Sequence, residues 1–300
     1  MRSSATSIDY SRPPAPRDIL ELLKPITWFP PMWAFMCGVV SSGVAIGGRW
    51  PFLIAGIALT GPLVCGTSQA VNDWYDRHVD AINQPERPIP SGRIAGHWGL
   101  RIALVGTALS LGVAWLVGRW VIAATIVGLL CAWAYSAPPW RAKVSGWWGP
   151  ALVAFTYEGL TWFTGASVMA GSLPRSEILA ILLLYSLGAH GIMTLNDFKA
   201  VRGDRATGVR SLPVVLGVGK ASKLACAVMS LSQAVVVFLL FQWGLVLSSL
   251  AVGLLLLAQV ALMVQLVRDP IGKAPWYAAR GVTLYVLGML AAALGLGGYV

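Results

Sequence analysis

Residues 72–93 read NDWYDRHVDAINQPERPIPSGR, four carboxylates and three arginines at the end of an apolar run of membrane length. Carboxylates crowded on a membrane helix repel one another and are expensive near lipid. Something positive must sit among them, and the rest of the chain says what kind of protein would hold it.

Composition decides the setting. The 300 residues are 57% hydrophobic and 11% charged, with a mean hydropathy of +0.70, whereas an ordinary soluble domain has roughly 25% charged residues. Runs long enough to span a bilayer, about 20 apolar residues each, lie near 20–46, 52–73, 98–117, 120–135, 147–170, 177–196, 218–241, 243–267 and 276–300. The expected fold is an all-α polytopic membrane protein, about nine transmembrane helices in one bundle around a central cavity. Residues 1–19 would form a cytoplasmic tail, and 20–300 a single transmembrane domain.

Lys and Arg in short loops stay on the cytoplasmic side. With the N-terminus inside, all of the 22 Lys and Arg fall on that side except Arg49, Arg119 and Arg175. The net charge of +10 is then a topology signal, and no nucleic-acid partner is needed to explain it. The first 24 residues carry Asp9, Asp18 and Glu21 among prolines and have no apolar core, unlike a secretory signal or an acid-poor transit peptide. The expected location is a bacterial inner membrane, cytoplasmic or intracytoplasmic. Cys37, Cys65, Cys131 and Cys226 sit singly in apolar spans, which suits packing better than metal binding or disulfides.

The opening stretch has a partner. NDFKAVRGD at 196–204 matches NDWYDRHVD at 72–80: Asn196 with Asn72, Asp197 with Asp73, Asp204 with Asp80, and Ala200 where the first copy has Asp76. Each lies at the inner end of its helix, the second and the sixth, so the two halves are repeats of one orientation. At 100° per residue, Asn72, Asp73, Asp76 and Asp80 share an arc of about 100°. On a continuous helix Asn196, Asp197 and Asp204 would occupy the equivalent arc, with Ala200 between them.

Hard oxygen donors without His or Cys favour Mg²⁺, which commonly shares one or two carboxylates with a substrate phosphate. The neighbouring loops are rich in Arg and Lys, whose charges pair with phosphate oxygens. The expected site therefore holds a diphosphate whose other end is at home in the membrane. His78 points about 240° away from Asn72, leaving no histidine in the arc.

At these residues the chain resembles the UbiA superfamily of intramembrane prenyltransferases, whose hallmark is a pair of Asp-rich motifs on two helices. Within it, NDWYDRHVDAINQPERPIPSG, NDFKAVRGDRATGVRSLPV and YSAPPWRAK at 135–143 are similar to the chlorophyll and bacteriochlorophyll synthases. The resemblance implies transfer of a geranylgeranyl or phytyl group from its diphosphate to the propionate of a chlorophyllide or bacteriochlorophyllide. It implies Mg²⁺ ligation by Asn72, Asp76 and Asp80 and by Asn196, Asp197 and Asp204, with Asp76, Asp80, Asp197 and Asp204 as the catalytic carboxylates. Arg87, Lys143, Lys199 and Arg205 would face the diphosphate, with Tyr135 close by. Ala200 stands where many members of the superfamily carry a third carboxylate, and Arg202 where chlorophyll synthases usually show an acid. Other pigment-biosynthesis enzymes are possible partners.

Two ionisable residues at membrane depth, Glu158 and His190, are candidates for a macrocycle pocket. A neutral His bonded to a neighbouring helix is the blander reading of His190. The 14 Trp serve mainly as interface anchors, and a flat tetrapyrrole could stack on some of them. Two rivals share the motif pattern: the same transferase fold acting on a quinone precursor or haem, and a cation-coupled transporter. The transporter would bury its acids near the midplane on broken helices rather than beside basic loops.

Overall fold

Prolines cut the first expected span into pieces. In the computed structural model, which describes residues 13–300, helix α1 runs Pro16–Leu23. Lys24 ends it in left-handed backbone, φ 47°, ahead of Pro25. A 3₁₀ turn follows at Pro25–Thr27, and α2 occupies Phe29–Ser41. The tail boundary expected at residue 19 falls inside α1; residues 1–12 of that tail lie outside the described residues. α1 is amphipathic, burying Leu22 and Asp18. Arg93 clamps it by donating to Asp18 at 2.7 Å and to both oxygens of Glu21 at 2.6 and 2.7 Å. The same hydrogen bonding holds the Glu21 carboxyl below its ordinary range.

Among the described residues seven helices are long and apolar enough to cross a membrane: Gly47–Asn83, Trp98–Val117, Arg119–Ser136, Ser176–Asp197, Val218–Gln242, Val246–Arg268 and Pro270–Leu296. The chain is a multi-pass membrane protein. The expected count of nine is not reached on these criteria. The first span survives only as the 13 residues of α2. The fifth, Trp148–Ala170, is a continuous rod of lower apolarity, carrying Tyr157, Glu158 and three threonines.

The first of the seven is α3 (Trp50–Ala58), a π-helical turn (Leu59–Cys65) and α4 (Gly66–Asn83) in one rod. Pro62 has no N–H to give the helix ladder, and the ladder widens around it. The rod, 37 residues with the turn before α3, is about 55 Å long at 1.5 Å per residue, against a hydrocarbon core of about 30 Å. Its charged last turns therefore extend past the apolar layer. α5 (Trp98–Val117) and α6 (Arg119–Ser136) follow, separated at Gly118. The Trp148–Ala170 rod repeats the first pattern: α7 (Trp148–Ala154), a π turn (Phe155–Leu160) and α8 (Thr161–Ala170).

α9 (Ser176–Asp197) ends inside the second motif, and α10 resumes only at Val201–Thr207. The single helical arc expected for 196–204 is therefore not formed. Phe198, 1% exposed, plugs into the core and turns the chain there. α11 (Leu212–Leu216), α12 (Val218–Gln242), α13 (Val246–Arg268) and α14 (Pro270–Leu296) complete the chain. Among the described residues the only extended pairing is one bridge, Ser145 with Arg210, tying the loop after α6 to the loop before α11.

Lipid tails are as apolar as Leu, so helices in a bilayer are held by close contact and hydrogen bonds rather than by exclusion of water. α2 and α8 meet through Gly38 and Gly165. A Cβ at Gly38 would lie 2.0 Å from the Trp162 carbonyl oxygen, and one at Gly165 would lie 2.0 Å from that of Phe35. In the other half, Tyr285 donates to the Tyr185 carbonyl at 2.6 Å. Gln233 donates to Gln259, which donates to the Gly281 carbonyl at 3.0 Å. These contacts fix the walls on which the motif helices stand.

Candidate active site

Both copies of the motif open onto one cavity of about 940 Å³. α4 supplies Ser68, Gln69, Asn72, Asp76 and Asp80, a stripe at helical spacing. The end of α6 and its following loop supply Tyr135, Arg141 and Lys143. α9, the turn beyond it and α10 supply Asn196, Asp197, Lys199, Ala200 and Asp204. Ala200 thus faces the cavity as expected, although from a turn rather than a helix.

The carboxylates of the first motif carry protein cations. Lys143 Nζ donates to Asp76 Oδ1 at 2.5 Å, and Arg87 Nη1 donates to Asp80 Oδ2 at 2.8 Å. Burial pulls the Lys143 ammonium below its ordinary range, with the bond to Asp76 opposing. Asp73 differs from its neighbours. It is 1% exposed, lies outside the cavity lining, and accepts Lys24 Nζ at 2.6 Å and Arg87 Nη1 at 3.4 Å. Arg87 therefore bridges Asp73 and Asp80 behind the cavity wall rather than lining it. In the second motif Asp204 accepts Ser211 Oγ at 2.6 Å. No cation among the described residues pairs with Asp197 or Asp204.

Other expected site residues fall elsewhere. Arg205 is exposed and outside the lining. Glu158 is buried in the π turn, with Oε2 unpartnered, and does not reach the cavity. His190 shares a hydrogen bond with the Trp147 carbonyl at 3.2 Å and packs its ring on that indole. Six residues before Asn196 is about 240° around the helix, so His190 faces away. Neither residue lines the cavity where the macrocycle was expected to meet them.

Reasoning from sequence also missed residues. Below the motif, Gln69 donates to the Tyr157 hydroxyl at 3.2 Å, and Cys65 Sγ lies 3.2 Å from the same oxygen. The π turns place Cys65 and Tyr157 there, and Cys65, together with Cys131 from α6, lines the cavity rather than only packing. The signal was present: Ser68 and Gln69 extend the motif stripe inward at i−4 and i−3 from Asn72. Deeper, the lining turns apolar at Val64, Gly128, Leu152 and Val153. Sixteen residues separate Asp76 from Thr60 at the far end, about 24 Å along the helix.

Among the described residues no three His, Cys, Asp or Glu side chains stand close enough to hold a metal by themselves. The six expected Mg²⁺ ligands are spread over two walls. Their donors are nonetheless all hard carboxylate and amide oxygens. That set fits an ion which keeps waters and is completed by substrate phosphates.

Comparisons with known proteins bear on the family and the fold. The UbiA prenyltransferase family matches residues 27–284. The chain is 59% identical to the bacteriochlorophyll synthase 33 kDa chain of Cereibacter sphaeroides, over 95% of this chain and 94% of that one. It is 36% identical to the chloroplastic chlorophyll synthase of Oryza sativa, over 92% of this chain and 75% of that one. Its fold is similar to a digeranylgeranylglyceryl phosphate synthase structure, TM-score 0.75 at 19% identity, covering 94% and 98% of the two chains. It is also similar to a UbiA homolog from Archaeoglobus fulgidus bound to GPP and Mg²⁺, TM-score 0.68 at 19% identity, covering 89% and 99%. The chain belongs to the UbiA prenyltransferase family.

Proposed function

We propose that this prenyltransferase is a bacteriochlorophyll or chlorophyll synthase, esterifying the propionate of a (bacterio)chlorophyllide with a geranylgeranyl or phytyl group. The observation that carries the reading is the cavity itself, with paired acidic motifs and lysines at one end and an apolar channel at the other. Identity to a bacteriochlorophyll synthase supports the acceptor over a quinone precursor or haem. The positions of Lys and Arg support motifs facing the cytoplasm of a bacterial inner membrane.

Asn72, Asp76, Asp80, Asn196, Asp197 and Asp204 would hold Mg²⁺. When bound, it would neutralise charge developing on the departing diphosphate. Lys143 is poised on Asp76 and Lys199 lies on the facing wall; both can turn to phosphate oxygens when the substrate enters. The apolar channel orients the prenyl chain and keeps water from the allylic carbon. A propionate is already ionised at neutral pH. Its oxygen bonds to the prenyl C1 as the C1–O bond breaks, and diphosphate leaves with the electron pair. No general base is needed, in keeping with a cavity lined by no histidine.

The test is incubation of the purified protein in lipid with labelled geranylgeranyl diphosphate, Mg²⁺ and, separately, chlorophyllide, bacteriochlorophyllide, a hydroxybenzoate and haem. The expected result is pigment ester and released diphosphate. Prenylation of hydroxybenzoate or haem, with none of either pigment, would overturn the proposal.

A further inference from the structure

A second hollow, of about 310 Å³, lies beside the cavity where α6 gives way to α7. Ala134, Trp140, Trp148 and Leu152 make it almost wholly apolar. Arg141, Val144, Ser145 and Leu152 line both spaces, so the hollow and the active site share one wall.

Trp140 and Trp148 are 74% and 68% exposed. Exposed tryptophans in membrane proteins commonly anchor at the interface, but these two line one hollow that abuts the reacting site. The residue between them and the site is unusual. Arg141 adopts left-handed backbone, φ 40°, unfavourable for any residue with a Cβ. No carboxylate among the described residues pairs with its guanidinium. A cation held in strained backbone at a shared wall, next to Lys143, is ready for an anion.

We infer that this hollow seats the planar macrocycle of the acceptor against Trp140 and Trp148, and that Arg141 receives its carboxylate at the shared wall. The inference rests on the acceptor proposed above. A flat aromatic ring system with one carboxylate matches both halves of the feature: indole faces attract its apolar plane, and a guanidinium fork takes its carboxylate. A carboxylate oxygen held there stands beside the Lys143 end of the cavity, where the prenyl C1–O bond breaks. That oxygen forms the ester bond, the electron pair leaves with diphosphate, and no proton moves.

The experiment uses the full chain in nanodiscs and reads two quantities. Chlorophyllide binding is followed by the shift of the pigment's absorption band, and ester formation gives KM for each substrate. Trp148→Ala and Trp140→Ala should each weaken chlorophyllide binding and raise its KM about tenfold, while KM for prenyl diphosphate, which also reports intact folding, stays within about twofold. Trp148→Phe should restore most of the affinity. Trp115→Ala, an exposed indole on α5 away from the hollow, should change neither quantity. Wild type should bind the free acid more tightly than its methyl ester, and Arg141→Gln should bind the two alike. Unchanged chlorophyllide binding in both Trp variants would overturn the seat. A persisting preference of Arg141→Gln for the acid would overturn the carboxylate assignment. A wild type that binds pigment through Trp148 yet forms no ester would instead overturn the proposed function and leave the seat standing.

Discussion

Replacing Asp73 by Asn separates a structural carboxylate from a metal ligand inside one motif. Asp73 Oδ1 accepts Lys24 at 2.6 Å and Arg87 at 3.4 Å, while Oδ2 is buried without a partner. Removing one member of a fully buried pair costs about 3–5 kcal/mol, because the other charge is stranded. Lys24 and Arg87 keep 23% and 25% of their side-chain surface. Water can take part of the stranded charge, so Asp73→Asn should cost about 2–3 kcal/mol. Lys24→Met leaves Asp73, nearly closed to water, with only the longer contact to Arg87 at 3.4 Å, and should cost about 3 kcal/mol. The double variant should fall short of the sum by about 2 kcal/mol. Denaturant unfolding in mixed micelles gives these values, and turnover against Mg²⁺ concentration gives the half-saturation point. Asp73→Asn should leave that point unchanged, whereas Asp76→Asn should raise it. A raised Mg²⁺ requirement with intact stability would refute the structural assignment and make Asp73 a ligand.

Three further outcomes follow from the same geometry. Lys143→Gln should cut kcat about a hundredfold, as loss of one charge-stabilising donor commonly does. Because burial lowers the Lys143 ammonium of the free protein below its usual 10.5, the alkaline limb of kcat/KM should lie below pH 10.5 as the cation is lost on raising pH, and Lys143→Arg should move it upward; a pH profile of kcat/KM checks both. Gly38→Val would place a Cβ 2.0 Å from the Trp162 oxygen and should destabilise the α2–α8 pair by about 3 kcal/mol, read by thermal unfolding. Calorimetric titration should show weak Mg²⁺ binding to the free protein, since among the described residues no three His, Cys, Asp or Glu side chains cluster. A non-hydrolysable prenyl diphosphate should strengthen it, and by linkage Mg²⁺ should strengthen binding of the analogue to the same degree.

The membrane setting, the helical class and the two motifs were legible in the sequence because each depends on local features: run length, apolarity and residues a few positions apart. The break at Gly118 and the cavity-facing stripe of Asn72, Asp76 and Asp80 follow from the same local rules. What each charge does was decided elsewhere. Asp73 shares the arc of the motif but was turned into a structural residue by Lys24, 49 positions away. Asp76 took its cation from Lys143, 67 positions away. The second motif broke after Asp197 because Phe198 found a place in a core built by other helices. Glu158 and His190 were credible by depth, yet the packing around their helices turned both away from the cavity. Helical periodicity ranks residues around an axis, but which side of that axis meets a cavity, a cation or lipid is set by neighbours distant in sequence. Those neighbours exist only in the folded bundle.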